Sequence, residues 1–91
     1  MSEIDIPLEM KIKYLERRKQ DYDDCLKALS EKNYELFLKV GHQVKGNAVS
    51  FGYADLGLIA AHLEKAAAAK DIQKIESLLS EFKEFLNQKN K

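Results

Sequence analysis

Apolar residues along this chain recur at alternating three- and four-residue intervals, the spacing that lines one face of a helix. In the first segment Leu8, Ile12, Leu15, Tyr22, Leu26 and Leu29 keep it, with Lys19 the one polar residue on the stripe, and this predicts an amphipathic helix over residues 7–29. Pro7 suits a first helical turn, where its missing N–H costs nothing, and Ser30 to Asn33 form a short polar connection ending in a good N-cap. Tyr34, Phe37, Gly41, Val44, Ala48 and Phe51 make a second stripe, a helix over 33–51 stopped by Gly52. Leu56, Ile59, Ala60, Leu63, Ala66 and Ala67 give a third helix, 54–69, a small-residue face that a neighbour can approach closely. Asp71 caps a fourth, 71–88, on Ile72, Ile75, Leu79, Phe82 and Leu86, widened by Leu78 and Phe85. Four helices with short connections predict an all-α fold, an antiparallel up-down-up-down four-helix bundle occupying 1–91 as a single domain with short polar tails.

Composition narrows the function. The chain is 45% hydrophobic and 33% charged, the balance of a globular domain and not of a disordered chain. Fifteen basic residues match fifteen acidic ones, so no basic excess exists to hold nucleic acid or an anionic membrane surface. No apolar run approaches the roughly 20 residues that cross a bilayer, and the start Met-Ser-Glu-Ile-Asp lacks the basic and apolar regions of a signal peptide, so a cytoplasmic protein is expected. Cys25 is the only cysteine, which excludes an internal disulfide and a multi-thiolate zinc site and leaves a buried, reduced thiol as the expected state. A bundle that closes its own core needs no second chain, and a monomer is expected.

The candidate chemistry lies on the second helix. At about 100° per residue, His42 points roughly 130° away from the centre of the apolar stripe, and Leu38, Lys45, Gly46 and Val49 surround it at one- and two-turn spacing. Each neighbour has an ordinary reading: Lys45 a solvated charge, Gly46 a tolerated surface glycine, Leu38 and Val49 scattered surface hydrophobes. Together they support another. Gly46 costs roughly 1 kcal/mol against alanine inside a helix, and its outward direction leaves close approach by a partner as its use. Lys45 is placed to pair with phosphoryl oxygens, with Lys39 a looser reinforcement, while Leu38 and Val49 offer apolar docking surface. Neutral imidazole is a nucleophile near neutral pH and its phosphoramidate leaves readily when protonated, which suits a reversible phosphoryl carrier. No cluster of acidic metal ligands accompanies His42, so Mg²⁺, where the chemistry needs it, is expected on the partner, and the chain itself takes no cofactor.

The segment His42-Gln43-Val44-Lys45-Gly46-Asn47-Ala48, followed by Gly52 and Leu63-Glu64, resembles the signature of histidine phosphotransfer (HPt) domains over most of the second and third helices. Val44 stands where leucine is usual, and Asn47 where serine or alanine is commoner. The resemblance implies that His42 accepts a phosphoryl group on Nε2 from a receiver-domain aspartate and passes it to another. It further implies that Lys45 holds the phosphoryl oxygens, that Gly46 leaves room for the receiver's loops, and that Gln43 contributes a hydrogen bond beside the histidine. The implied partners are response-regulator receiver domains and a hybrid histidine kinase. No glycine-rich phosphate loop appears, so no autokinase activity is expected. His62, whose one-turn neighbours are Lys65 and Ala66, lacks the glycine and reads as structural or solvated. The alternative from another class is a non-catalytic adaptor that binds a signalling partner through the same face; the presence of His42, Lys45 and Gly46 together argues against it.

Overall fold

The computed structural model describes residues 6–89; the parts of the predicted 1–91 unit at 1–5 and 90–91 lie outside the described residues. Four helices account for most of it: α1 (Leu8–Glu31), α2 (Tyr34–Ser50), α3 (Ala54–Ala68) and α4 (Ile72–Lys89), with no strand among the described residues. The fold is all-α. Boundaries fall within two residues of those expected. Pro7 sits just outside α1, where its carbonyl accepts from the amides of Met10 (3.0 Å) and Lys11 (3.1 Å). Asn33 and Asp71 cap as anticipated, their side-chain oxygens accepting from the amides of Leu36 (3.4 Å) and Lys74 (3.2 Å).

The first three helices end in the same way. After α2, Gly52 turns left-handed (φ +85°), and the amides of Tyr53 and Gly52 bond back to Ala48 (2.8 Å) and Val49 (3.0 Å). This paired bonding satisfies carbonyls that the helix leaves orphaned. Lys32 (φ 53°) and Lys70 (φ 55°) play the part of Gly52 after α1 and α3, with Asn33 bonding back to Ala28 and Asp71 to Ala66, each at 2.9 Å. A lysine in this region carries a steric cost of about 1–2 kcal/mol that a glycine escapes.

Helix packing forms a closed ring in which α1 touches α2 and α4, and α3 touches α2 and α4. The most extensive contact is α2 on α3. Two glycines produce it. A Cβ on Gly41 would lie 2.8 Å from the Ala60 carbonyl oxygen and 2.9 Å from the Glu64 amide nitrogen, and one on Gly57 would lie 3.1 Å from a Val49 methyl. Phe37, Val44, Ala48, Leu56, Leu63, Ile75, Leu78 and Phe82 fill the interior, in keeping with the stripes read for α2, α3 and α4.

Helix α1 departs from its expected orientation. Tyr14, Arg18, Cys25 and Ala28 are its buried residues, whereas Leu8 is 73% exposed and Ile12 and Leu26 are exposed as well. At about 100° per residue this is a rotation of roughly 100° from the Leu8–Leu29 stripe. Polar chemistry explains it. The Tyr14 hydroxyl donates to Asn47 Oδ1 on α2 (2.5 Å), Arg18 donates to the same oxygen (3.4 Å) and to Asp21 (2.7 Å), and the Arg18 guanidinium lies 4.6 Å from the Tyr14 ring centre. Tyr14 also stacks on Phe51, with ring centres 4.2 Å apart. Desolvation, above all, raises the Tyr14 hydroxyl pKa, so it stays a donor. Cys25 is fully buried, as expected, and burial, helped by the fields of Asp21 and Asp24, pushes its thiol up to about 12. No helix among the described residues is long and apolar enough to cross a membrane.

Because the atoms nearest Gly41 are backbone and cannot swing aside, Gly41→Ala is expected to destabilise the fold by about 1–3 kcal/mol. Gly57→Ala meets chiefly a movable Val49 methyl and should cost less. Urea unfolding of the two variants, followed by circular dichroism, checks the order.

Candidate functional site

The close seam between α2 and α3 determines what surrounds His42. With no side chain at Gly41, the α3 backbone at Ala60 and Glu64 comes against α2, and the Glu64 carboxylate reaches the adjacent turn. One of its oxygens, Oε2, lies 3.1 Å from His42 Nδ1; the other, Oε1, accepts from Lys45 Nζ at 2.8 Å. One carboxylate therefore holds both chemical side chains of α2. His42 itself remains open, with 72% of its side chain exposed.

The Lys45 hydrogen bond is the largest influence lowering the Glu64 pKa, outweighing the opposing effect of desolvation, and the His42 bond lowers it further. Glu64 is therefore ionised at neutral pH. An ionised carboxylate can only accept, so the hydrogen in the His42 contact belongs to Nδ1. In neutral imidazole this leaves the Nε2 lone pair free, and no side chain among the described residues bonds to Nε2. The arrangement is a nucleophilic nitrogen at the surface, its ring oriented and its tautomer chosen from behind, with an ammonium group one turn away.

The other predicted positions are distributed unevenly about this centre. Gly46 faces open space, with nothing within 4 Å of where a Cβ would stand, as its outward direction required. Val49 is exposed, and one of its methyls also covers Gly57. Leu38 is half-buried and packs against the core, which corrects its reading as an exposed residue; only part of it is available for docking. Lys39 and Gln43 are exposed, and the Gln43 side chain makes no hydrogen bond with any described residue. His62 is exposed too, and no carboxylate among the described residues bonds to it as Glu64 does to His42. No group of three or more His, Cys, Asp or Glu residues stands ready to hold a metal ion among the described residues.

Two participants escape a reading confined to one helix at a time. Glu64 figures in the sequence only as part of a Leu-Glu pair, because its bond to His42 spans 22 positions and depends on the helix seam. Asn47 looks like a neutral replacement, yet it accepts from both Tyr14 and Arg18 and anchors α1 to the helix that carries His42.

Replacing Glu64 by glutamine removes the ionised acceptor, while the amide oxygen can still accept one hydrogen bond. Nitrogen-15 NMR of the His42 ring should show the Nδ1–H tautomer dominant in the parent chain and a shift toward the Nε2–H form in Glu64→Gln. Because the Lys45 and His42 hydrogen bonds lower the Glu64 pKa, its carboxylate should remain an ionised acceptor to lower pH than an ordinary glutamate. An unchanged tautomer ratio in the variant would remove Glu64 from any positioning role.

Compared with family models, with curated proteins and with solved structures, the chain matches none.

Proposed function

We propose that this chain is a histidine phosphotransfer domain that relays a phosphoryl group between receiver-domain aspartates in two-component signalling, with His42 as the carrier. The single observation that carries this reading is the His42–Glu64–Lys45 arrangement on an exposed helix face, with open space at Gly46 beside it. The up-down-up-down antiparallel bundle belongs to the same proposal. It is supported by the closed ring of contacts, and by Gly41 lying against Ala60 and Glu64 while Gly57 lies against Lys45 and Val49.

On this reading the chemistry balances without an added base. The Nε2 lone pair attacks phosphorus in an aspartyl phosphate, the new N–P bond forms as the P–O bond to the carboxylate breaks, and the carboxylate leaves as an anion. The ring keeps its Nδ1 hydrogen and becomes a phosphorylated imidazolium, whose positive charge the Glu64 carboxylate opposes. Return of the group to a second aspartate reverses the steps. Lys45 supplies positive charge close to where the phosphoryl oxygens gather, and the partner contributes Mg²⁺. The domain supplies no nucleotide site; it acts as an intermediate carrier and not as a kinase. A cytoplasmic setting, with receiver domains and a hybrid kinase as partners, goes with this role.

The test is phosphotransfer from a panel of labelled receiver domains and hybrid kinases to the purified chain. Acid-labile, base-stable label is expected on the parent chain and on His62→Gln, and none on His42→Gln. Lys45→Ala should retain the tautomer but slow transfer by about 10²-fold or more, the scale of a lost electrostatic contact to a transferring group. Failure of every donor to label the parent chain would favour the adaptor reading.

Gly46 separates a functional constraint from a structural one. Gly46→Ala should raise stability by up to about 1 kcal/mol, because it relieves a glycine inside a helix without meeting another atom. It should nevertheless slow transfer, since the added methyl stands where the partner's loops must come. Faster or unchanged transfer in a more stable variant would show that Gly46 is not a docking position.

A further inference from the structure

The apolar stripe of α1 has work to do that the bundle does not give it. Leu8, Ile12, Leu15, Lys19, Tyr22, Leu26 and Leu29 alternate at intervals of four and three, the 3.5-residue repeat of a helix seam that meets another helix. Inside this molecule that seam is only half used: Leu15, Tyr22 and Leu29 are half-buried, while Leu8, Ile12 and Leu26 are exposed. It forms one side of a groove whose opposite side is α4, with Ile12, Leu15, Tyr22 and Leu86 as its apolar lining.

The lips of the groove differ in charge. Glu16 and Asp23, seven residues apart, stand on the α1 lip, and Lys83 stands on the α4 lip. None of the three is in an ion pair with another described residue. The groove thus fits a helix with an apolar 3.5-residue seam and an acidic edge next to it. Helix α1 of another copy is such a helix.

We propose that the groove between α1 and α4 is a self-association surface, in which α1 of each copy lies in the groove of the other about a two-fold axis. Passing around α1 from its buried side, its neighbours are its own core, its own α4, the partner's α1 and then the partner's α4. That order sets the acidic edge of Glu16 and Asp23 beside the partner's basic α4 lip, twice over by symmetry. Lys19 is the polar residue within the seam, and a lysine at a seam position favours one register at some cost in stability. The expectation of a monomer rested on a bundle that closes its own core; the core is closed, but the exposed residues of this stripe leave apolar surface outside it. The pairing leaves the α2–α3 edge free, so both His42 sites remain accessible to partners. This proposal goes beyond the phosphotransfer reading and does not depend on it.

Sedimentation velocity of the full chain between about 10 µM and about 1 mM, the span of weak to moderate affinities, tests the idea. A concentration-dependent shift from monomer to dimer is expected. Leu8→Glu and Ile12→Glu should each weaken it by about tenfold or more with helicity unchanged, since both residues are exposed in the single chain. Lys83→Glu should weaken it as well, and combining that change with Glu16→Lys and Asp23→Lys should restore it. A chain that stays monomeric throughout overturns the proposal, as does a dimer indifferent to both Leu8→Glu and Ile12→Glu. Either result leaves labelling of His42 unaffected, so the two readings fail separately.

Discussion

The close contact of α2 with α3 is the constraint on which the rest of the site depends. At Gly41 the backbones are too near for even a methyl group, the Ala60 carbonyl lying 2.8 Å from where one would stand. That approach sets how far Glu64 must reach. Because the reach is short, a single carboxylate spans from His42 Nδ1 to Lys45 Nζ, at 3.1 and 2.8 Å. A wider seam would leave two exposed side chains on α2 with no acceptor behind them, and the imidazole would be free to rotate and to exchange tautomers. The orientation of the imidazole therefore comes from backbone packing, and only secondarily from the ion pair itself, whose exposed setting makes it weak as a source of stability.

Such packing divides what can be read from the chain from what cannot. The stripes of α2, α3 and α4 contain Phe37, Val44, Leu63, Ile75 and Phe82, large apolar residues whose period coincides with their burial. Caps at Asn33 and Asp71 and the turn at Gly52 are equally local, each requiring only neighbours within a few positions. The outward directions of His42, Lys45 and Gly46 follow from the same periodicity. Glu64 does not, since nothing within α3 distinguishes it from an ordinary surface glutamate until α2 is placed beside it. Leu38 illustrates the intermediate case: its direction on the helix is right, yet a neighbouring element covers half of it.

Helix α1 shows a conflict between two sources of pattern. Its large aliphatic residues mark one face, but the buried face holds Tyr14, Arg18, Cys25 and Ala28, none of them a large aliphatic residue and one of them charged. The face is buried because it satisfies polar groups. Asn47 Oδ1 receives hydrogen bonds from Tyr14 and Arg18, and Asp21 takes up the remaining charge of the guanidinium. Arg18 covers the Tyr14 ring at the same time, so its aliphatic stem and planar head both contribute to the packing. A hydrophobic periodicity has no means of recording such a network, because its members lie on different helices and are polar.

The competition between these faces determines which surface α1 presents outward. Turning Leu8, Ile12 and Leu26 inward would favour the fold by about 1.5–3 kcal/mol for each side chain fully buried. The same roll would withdraw Tyr14, Cys25 and Ala28 from the interior and strip Asn47 of its donors, and each buried polar group left unpaired costs about 1–3 kcal/mol. It would also separate Tyr14 from Phe51, a stacked pair at 4.2 Å. Any second helix that comes to cover the outer stripe removes this competition, since the apolar residues are then buried without disturbing the network. The acceptor at Asn47, five positions along α2 from His42, thus fixes the rotation of α1 and leaves the apolar seam facing away from the His42 face, on the far edge of the molecule.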